Sequence, residues 1–95
     1  MKDIEFIWDP NKNSANKSKH SVSFEEARSA FFDENAISYH DPDHSNEEER
    51  FILLGNSSLL RVLVVCHCFR DNDKKIRIIT ARKANKNEQR YFYEA

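Results

Sequence analysis

The sequence predicts a small α+β domain: an antiparallel sheet with two N-terminal helices packed on one face and a short C-terminal helix. Three observations carry this. Residues 59–83 hold two apolar, β-branched runs around the polar turn Arg70-Asp71-Asn72-Asp73-Lys74. The strand-like runs from residue 36 onward follow one another through short turns, too short for a helical crossover, which implies antiparallel pairing. Ahead of them, residues 22–32 place Phe24, Ala27 and Phe31 at helical spacing.

The elements follow in order. Ile4-Glu5-Phe6-Ile7-Trp8 reads as a short strand, stopped by Asp9-Pro10, where Asp9 suits a helix N-cap and Pro10 the first helical position. The helix from Asn11 to about Lys19 is unusually polar, so it is expected on the surface with Ala15 and its neighbours turned inward. Ser23 followed by Glu26 reads as a capping box opening the second, amphipathic helix, which should supply core to one sheet face. Ala36–His40 and Phe51–Gly55 read as strands, separated by the acidic turn Asp41-Pro42-Asp43-His44. Asn85 suits the cap of a last helix running from Lys86 to about Glu94 with Tyr91, Phe92 and Tyr93. Nothing divides the chain, and 95 residues make one domain.

The run Leu60–Phe69 is apolar on both faces, as a central strand covered on both sides must be. Arg61 starts it, and Arg82 ends the next strand. If Arg70 pairs with Lys75, Leu63 faces Arg82, and Arg61 becomes the diagonal neighbour of Arg82 on the same face, about 7–8 Å away. Two guanidinium forks at that spacing suit one phosphate. The inference is conditional, because a slip of one residue reverses the parity.

Composition bounds the function. A net charge of -1 counts against a simple electrostatic nucleic-acid binder. Local charge is less even: Lys12, Lys17, Lys19 and His20 form one basic segment, and Arg82, Lys83, Lys86 and Arg90 another. Between them Asp41, Asp43, Glu47, Glu48 and Glu49 form an acidic stretch, read first as a solvated loop. No apolar run suits a membrane span, and Met1-Lys2-Asp3 does not open a signal peptide, so a cytoplasmic protein without membrane contact is expected. Cys66 and Cys68 share one strand face, where they fit as apolar filler better than as a disulfide. His67 points the other way, so Cys66-His67-Cys68 cannot close on one ion, and no metal or other cofactor is expected. With Gly55 as the single glycine, a glycine-rich phosphate loop is excluded.

Phe6-Ile7-Trp8-Asp9, the string Lys19-His20-Ser21-Val22-Ser23-Phe24-Glu25-Glu26-Ala27, Glu49-Arg50-Phe51 and Ile76-Arg77-Ile78-Ile79-Thr80-Ala81-Arg82 together resemble the BrnT family of type II toxin-antitoxin toxins. The resemblance implies a RelE-like ribonuclease fold, inhibition of translation by RNA cleavage, and neutralisation by a BrnA-type antitoxin with a ribbon-helix-helix-like DNA-binding domain. It also implies a two-fold toxin-antitoxin assembly that touches DNA only through the antitoxin. Carried over by position, the family's arginines fall on Arg61 and Arg82, its acidic-basic pair on Glu49 and Arg50, and its C-terminal aromatic on Tyr91 or Tyr93.

Metal-independent RNA cleavage needs a base for the 2′-hydroxyl, positive charge on the phosphate and an acid for the leaving oxygen. Arg61 and Arg82, helped by Glu49 and Arg50, are the candidate catalytic residues. Arg77, Arg70, Lys19, His20, Tyr91 and His67 are candidates for holding RNA, free or on the ribosome, a tyrosine by stacking on a base. For the proton carriers the sequence leaves Glu49, His67, His20, a lysine and a C-terminal tyrosine open. Each has a plainer reading: Arg61 or Arg82 paired with Glu48 or Glu49, Glu49 solvated, His67 a core histidine, Trp8 a core anchor. The rival function is a non-catalytic module that only binds a protein partner through a sheet edge or groove.

Overall fold

The computed structural model describes residues 4–95, and the reading of Met1-Lys2-Asp3 lies outside them. Among the described residues one sheet is built from β1 (Glu5–Ile7), β2 (Ile37–His40), β3 (Phe51–Asn56), β4 (Val62–Arg70) and β5 (Lys75–Lys83), in the spatial order β1-β5-β4-β3-β2. Helices α1 (Pro10–His20) and α2 (Phe24–Ala30) follow β1, and α3 (Lys86–Glu94) follows β5. β4 is the middle strand, as its two apolar faces require. The expected all-antiparallel sheet needs correction: β2 to β5 are antiparallel, but β1 runs parallel to β5. The first strand pairs with the last, and the connection between them includes two helices and three other strands, so no hairpin dictates its direction.

The two faces carry separate cores. On one, Val22, Phe24, Ala27, Ala30 and Phe31 of the α2 region pack on Leu53, Leu63, Val65, Ile76, Ile78 and Ala81. On the other, Phe92 of α3 packs with Ala84 on Leu54, Val62 and Val64. We refer to these as the α2 face and the α3 face. Trp8 meets Phe24 edge-on at 6.1 Å and belongs to the first core. Gly55 lies against the last residue of α2: a Cβ there would stand 2.9 Å from the Ala30 carbonyl oxygen and 3.2 Å from Ala36 Cβ.

Helix α1 begins as expected, with the Asp9 carboxylate accepting from Asn11 N–H at 2.8 Å and Pro10 at the first position. Its inward face is not Ala15, which is exposed, but Asn13 and Asn16. Asn13 Oδ1 accepts from the Phe24 N–H at 2.8 Å, tying α1 to the start of α2. The Asn16 amide donates to Val22 O and Ala81 O, both at 2.8 Å, and accepts from Ala81 N–H at 3.1 Å. β1 pairs only with Lys75, Ile76 and Arg77, so the outer edge of β5 beyond them is open. Asn16 serves Ala81 as a one-residue substitute for the missing strand. A polar helix thus docks through buried amides whose hydrogen bonds are met.

Ser23 caps α2 by accepting from Glu26 N–H at 3.0 Å, but the expected capping box does not close, because the Glu26 carboxylate turns to Arg61 and Ser57 instead. At α3 the box is complete, with Asn85 and Glu88 exchanging both hydrogen bonds.

Candidate active site

The β4–β5 hairpin decides where the arginines go. Arg70 does pair with Lys75, across a turn in which Asp71, Asn72 and Asp73 all take left-handed backbone angles. From there His67 pairs with Ile78, but Cys66 pairs with Thr80, so Ile79 is an extra residue in β5. This bulge shifts the register by one, and Arg82 faces Val64 rather than Leu63. The Arg61–Arg82 clamp is therefore contradicted: the turn was read correctly and the bulge reversed the parity.

Arg61 lies on the α2 face. Its Nε donates to Glu26 Oε2 at 2.9 Å, Nη2 donates to Ser21 O at 3.0 Å, and a second, close contact joins Nη2 to Glu26 Oε1. Glu26, only 5% exposed at its side chain, also accepts from Ser57 Oγ at 2.6 Å. Burial raises the Glu26 carboxyl, and the hydrogen bonds from Arg61 and Ser57 with the nearby positive charge outweigh it, leaving the group below its ordinary value. This is a supporting ion pair between α2 and the start of the middle strand.

Arg82 lies on the α3 face, held by Glu88 through Nη1–Oε1 and Nη2–Oε2, both 2.8 Å. The same Glu88 closes the cap of α3. Nη1 spends its other proton on Lys83 O at 3.3 Å, which leaves Nε–H and the second proton of Nη2, the side-on fork, unengaged by the described residues. Arg82 borders a hollow of about 250 Å³ with Asp41, His44, Arg50, Ile52, Val64, Cys66, Ile79 and Thr80. Arg50 lines the same hollow, with its enclosed Nε finding no hydrogen-bond partner among the described residues and Nη2 3.9 Å from Glu48. Glu48 also binds Arg70 at 2.8 Å. Arg77 sits between Ile76 and Ile78, both in the α2-face core, and so belongs to the α3 face, opposite Cys68.

Lys19 and His20 at the end of α1 border a groove floored by Ile79 and Thr80, the same two residues that floor one side of the hollow. Tyr91 is exposed on α3. Tyr39 has its hydroxyl pushed up chiefly by burial, with the charges of Glu88 and Tyr91 adding to it. Tyr93 is exposed and packs edge-on against Phe92 at 5.2 Å.

Two candidates fall away from this face. Glu49 pairs closely with His40, which in turn meets Phe51 edge-on at 5.6 Å, so Glu49 is turned from its neighbour Arg50. Both residues precede β3 and take different partners, His40 for Glu49 and Glu48 for Arg50. His67 is 1% exposed among Phe31, Phe51 and Phe69, with Nδ1 3.2 Å from Val65 O, and burial pushes its pKa down. A ring in that setting does not reach RNA, so its place among the RNA-holding residues is corrected. The thiols of Cys66 and Cys68 are raised chiefly by burial and stay apolar filler. Among the described residues no three His, Cys, Asp or Glu side chains gather as a metal site.

Sequence reasoning missed Asp41 and His44, which it treated as a turn. Asp41 Oδ2 lies 2.9 Å from His44 Nδ1. The available signal was the i, i+3 spacing of an acid and a histidine; what was not visible is that the loop folds back beside Arg50. No described helix is long and apolar enough to cross a membrane.

Comparison with known proteins agrees with the fold. Residues 8–88 match the family described as "Ribonuclease toxin, BrnT, of type II toxin-antitoxin system". The crystal structure of the Brucella abortus ribonuclease toxin BrnT superposes with a TM-score of 0.67 at 19% identity, covering 87% of this chain and 99% of that one. At that identity the likeness is one of fold. A comparison with curated proteins gives no significant match. The α+β fold with its mixed sheet and the family match over most of its length lead to one conclusion: the chain belongs to the BrnT family of type II toxin-antitoxin toxins.

Proposed function

We propose that this chain is an endoribonuclease toxin of RelE-like fold, acting without a metal ion, and that Arg50 and Arg82 hold the scissile phosphate on the α3 face. The observation that carries the site is their sharing of one hollow, with the side-on fork of Arg82 free of bonds to the described residues. Arginine stays protonated and offers paired donors to two phosphate oxygens, supplying the charge that a metal would otherwise bring. Arg77 and Arg70 extend the same face, while Lys19 and His20 continue it past Thr80, giving a path for the strand on either side of the cleaved bond. Tyr91 stands where an unstacked base can lie.

In the cytoplasm such cleavage inhibits translation and growth. A BrnA-type antitoxin, with a ribbon-helix-helix-like domain, neutralises the toxin in a two-fold complex and brings it to DNA, where the complex represses its own operon. These partners are inferred from family membership.

The test is cleavage of RNA by purified protein in the presence of chelator, with and without translating ribosomes, comparing the natural chain with Arg50→Ala and Arg82→Ala. Cleavage that both substitutions abolish supports the reading. Intact RNA in every arm, with a stable complex still formed with the antitoxin, favours the binding module.

A further inference from the structure

We propose that His44, held by Asp41, is the general base of this site and takes the proton of the attacking 2′-hydroxyl. The inference rests on the ribonuclease reading above. His44 and Asp41 both line the hollow that Arg50 and Arg82 line. Asp41 Oδ2 stands 2.9 Å from His44 Nδ1, and Asp41 is 13% exposed at its side chain against 66% for His44. A sheltered carboxylate thus engages Nδ1 of a largely exposed ring and leaves Nε2 as the nitrogen to meet a substrate. That is the arrangement in which an imidazole accepts a proton at Nε2 while the carboxylate steadies the cation that forms.

The loop is pinned so that the histidine keeps its place beside Arg50. Asp41 N–H donates to Arg50 O at 2.9 Å, Arg50 N–H donates to Ser45 Oγ at 2.9 Å, and Ser45 Oγ donates to Asp41 O at 2.6 Å. Three short bonds therefore close the neck of the loop that carries His44, and the neck includes the main chain of one phosphate-holding arginine. His20, the other histidine near this face, borders the neighbouring groove, and neither His40 nor His67 lines the hollow.

The step balances as a transesterification. The 2′-oxygen forms a bond to phosphorus, its proton passes to His44 Nε2, and the bond from phosphorus to the 5′-oxygen breaks. The leaving 5′-oxygen takes a proton from water, and the hydroxide so formed recovers the proton from the imidazolium. The products are a 2′,3′-cyclic phosphate and a 5′-hydroxyl. Arg50 and Arg82 carry the charge of the pentavalent phosphate and move no proton.

The charged groups around His44 are Asp41 at its ring, Asp43, Glu47 and Glu48 along the loop, and Arg50 and Arg82 in the hollow. The experiment measures kcat and KM against pH for the natural chain, His44→Gln and Asp41→Asn, on whichever RNA the natural chain cleaves. His44→Gln should lower kcat by about 100-fold or more with KM little changed, and lose the rising limb that the natural chain shows in kcat against pH. His44→Gly should recover rate with added imidazole, in proportion to its free-base form. Asp41→Asn should lose about 10-fold, the effect of a positioning residue, and keep a displaced limb. Circular dichroism checks that each variant folds. Cleavage by His44→Gln with the limb retained overturns the assignment while leaving the ribonuclease reading in place. A natural chain that cleaves no RNA, free or ribosomal, overturns both.

Discussion

Arg61 and Arg82 flank neighbouring strands yet point to opposite faces of the sheet, the first onto Glu26 of α2 and the second onto Glu88 of α3. One extra residue in β5, Ile79, is the cause. The separation gives the two arginines different work, and substitution tells them apart.

Arg61→Ala should act on stability. It strips the buried Glu26 carboxylate of its guanidinium partner, leaving only Ser57. Removing one partner of a buried pair costs about 3–5 kcal/mol; because Arg61 is partly exposed the expectation here is about 2–3 kcal/mol. For a domain of this size that lowers the melting temperature by roughly 10–20 °C. Glu26→Gln added to Arg61→Ala should recover part of the loss, and the folded fraction of Arg61→Ala should cleave RNA at the natural rate. Loss of cleavage in fully folded Arg61→Ala would contradict this division of roles.

Arg82→Ala should act on activity, lowering cleavage by about 10²–10³-fold with little change in melting, because Glu88 keeps its bonds to the α3 cap. Arg82→Lys is the sharper probe. An ammonium has no planar fork with which to hold Glu88 and a phosphate together, so Lys should not restore the rate. A Lys variant as active as the natural chain would show that charge alone suffices, and the free side-on fork would lose its role.

Much of the fold was legible because its signals are local. Asp9-Pro10, Ser23 and Asn85 each cap the helix expected of them, and the Arg70–Lys75 pairing follows from the turn. The misses are non-local. No residue pattern announces the bulge at Ile79, since Ile78-Ile79-Thr80 is as good a strand as its neighbours. The parallel pairing of β1 with β5 depends on elements far apart in sequence. Of the candidate site, Arg50 and Arg82 line one hollow, while Glu49 and Arg61 pair elsewhere. The shifted register of β5 explains the parting of Arg61 from Arg82.

Asn16→Ala tests the docking of α1. The substitution leaves both main-chain groups of Ala81 and the Val22 carbonyl without their partner in a buried setting. At about 1 kcal/mol per hydrogen bond the expected cost is about 3 kcal/mol in urea unfolding. Ala15→Ser, on the exposed side of the same helix, should change stability by less than about 0.5 kcal/mol. Equal effects at the two positions would mean that the amide does not anchor the helix.

His67 gives the protein a pH dependence whose sign follows from its burial. Its folded pKa is lowered chiefly because the ring is shut away from water, with the Val65 carbonyl opposing more weakly. The unfolded chain therefore binds a proton at a higher pH than the folded one. Stability is complete above the ordinary histidine value of about 6.5 and declines as pH falls from there toward the lowered folded value, with a slope of at most about 1.4 kcal/mol per pH unit for one proton. The carboxylates of Glu26 and Glu88 are also shifted down, from 4.5, so their contribution too is lost as pH falls, but only in more acidic solution, and the two windows separate. His67→Leu should flatten unfolding free energy measured between about pH 5 and 7 while leaving the acidic limb in place. An unchanged slope in that variant would remove His67 from the account.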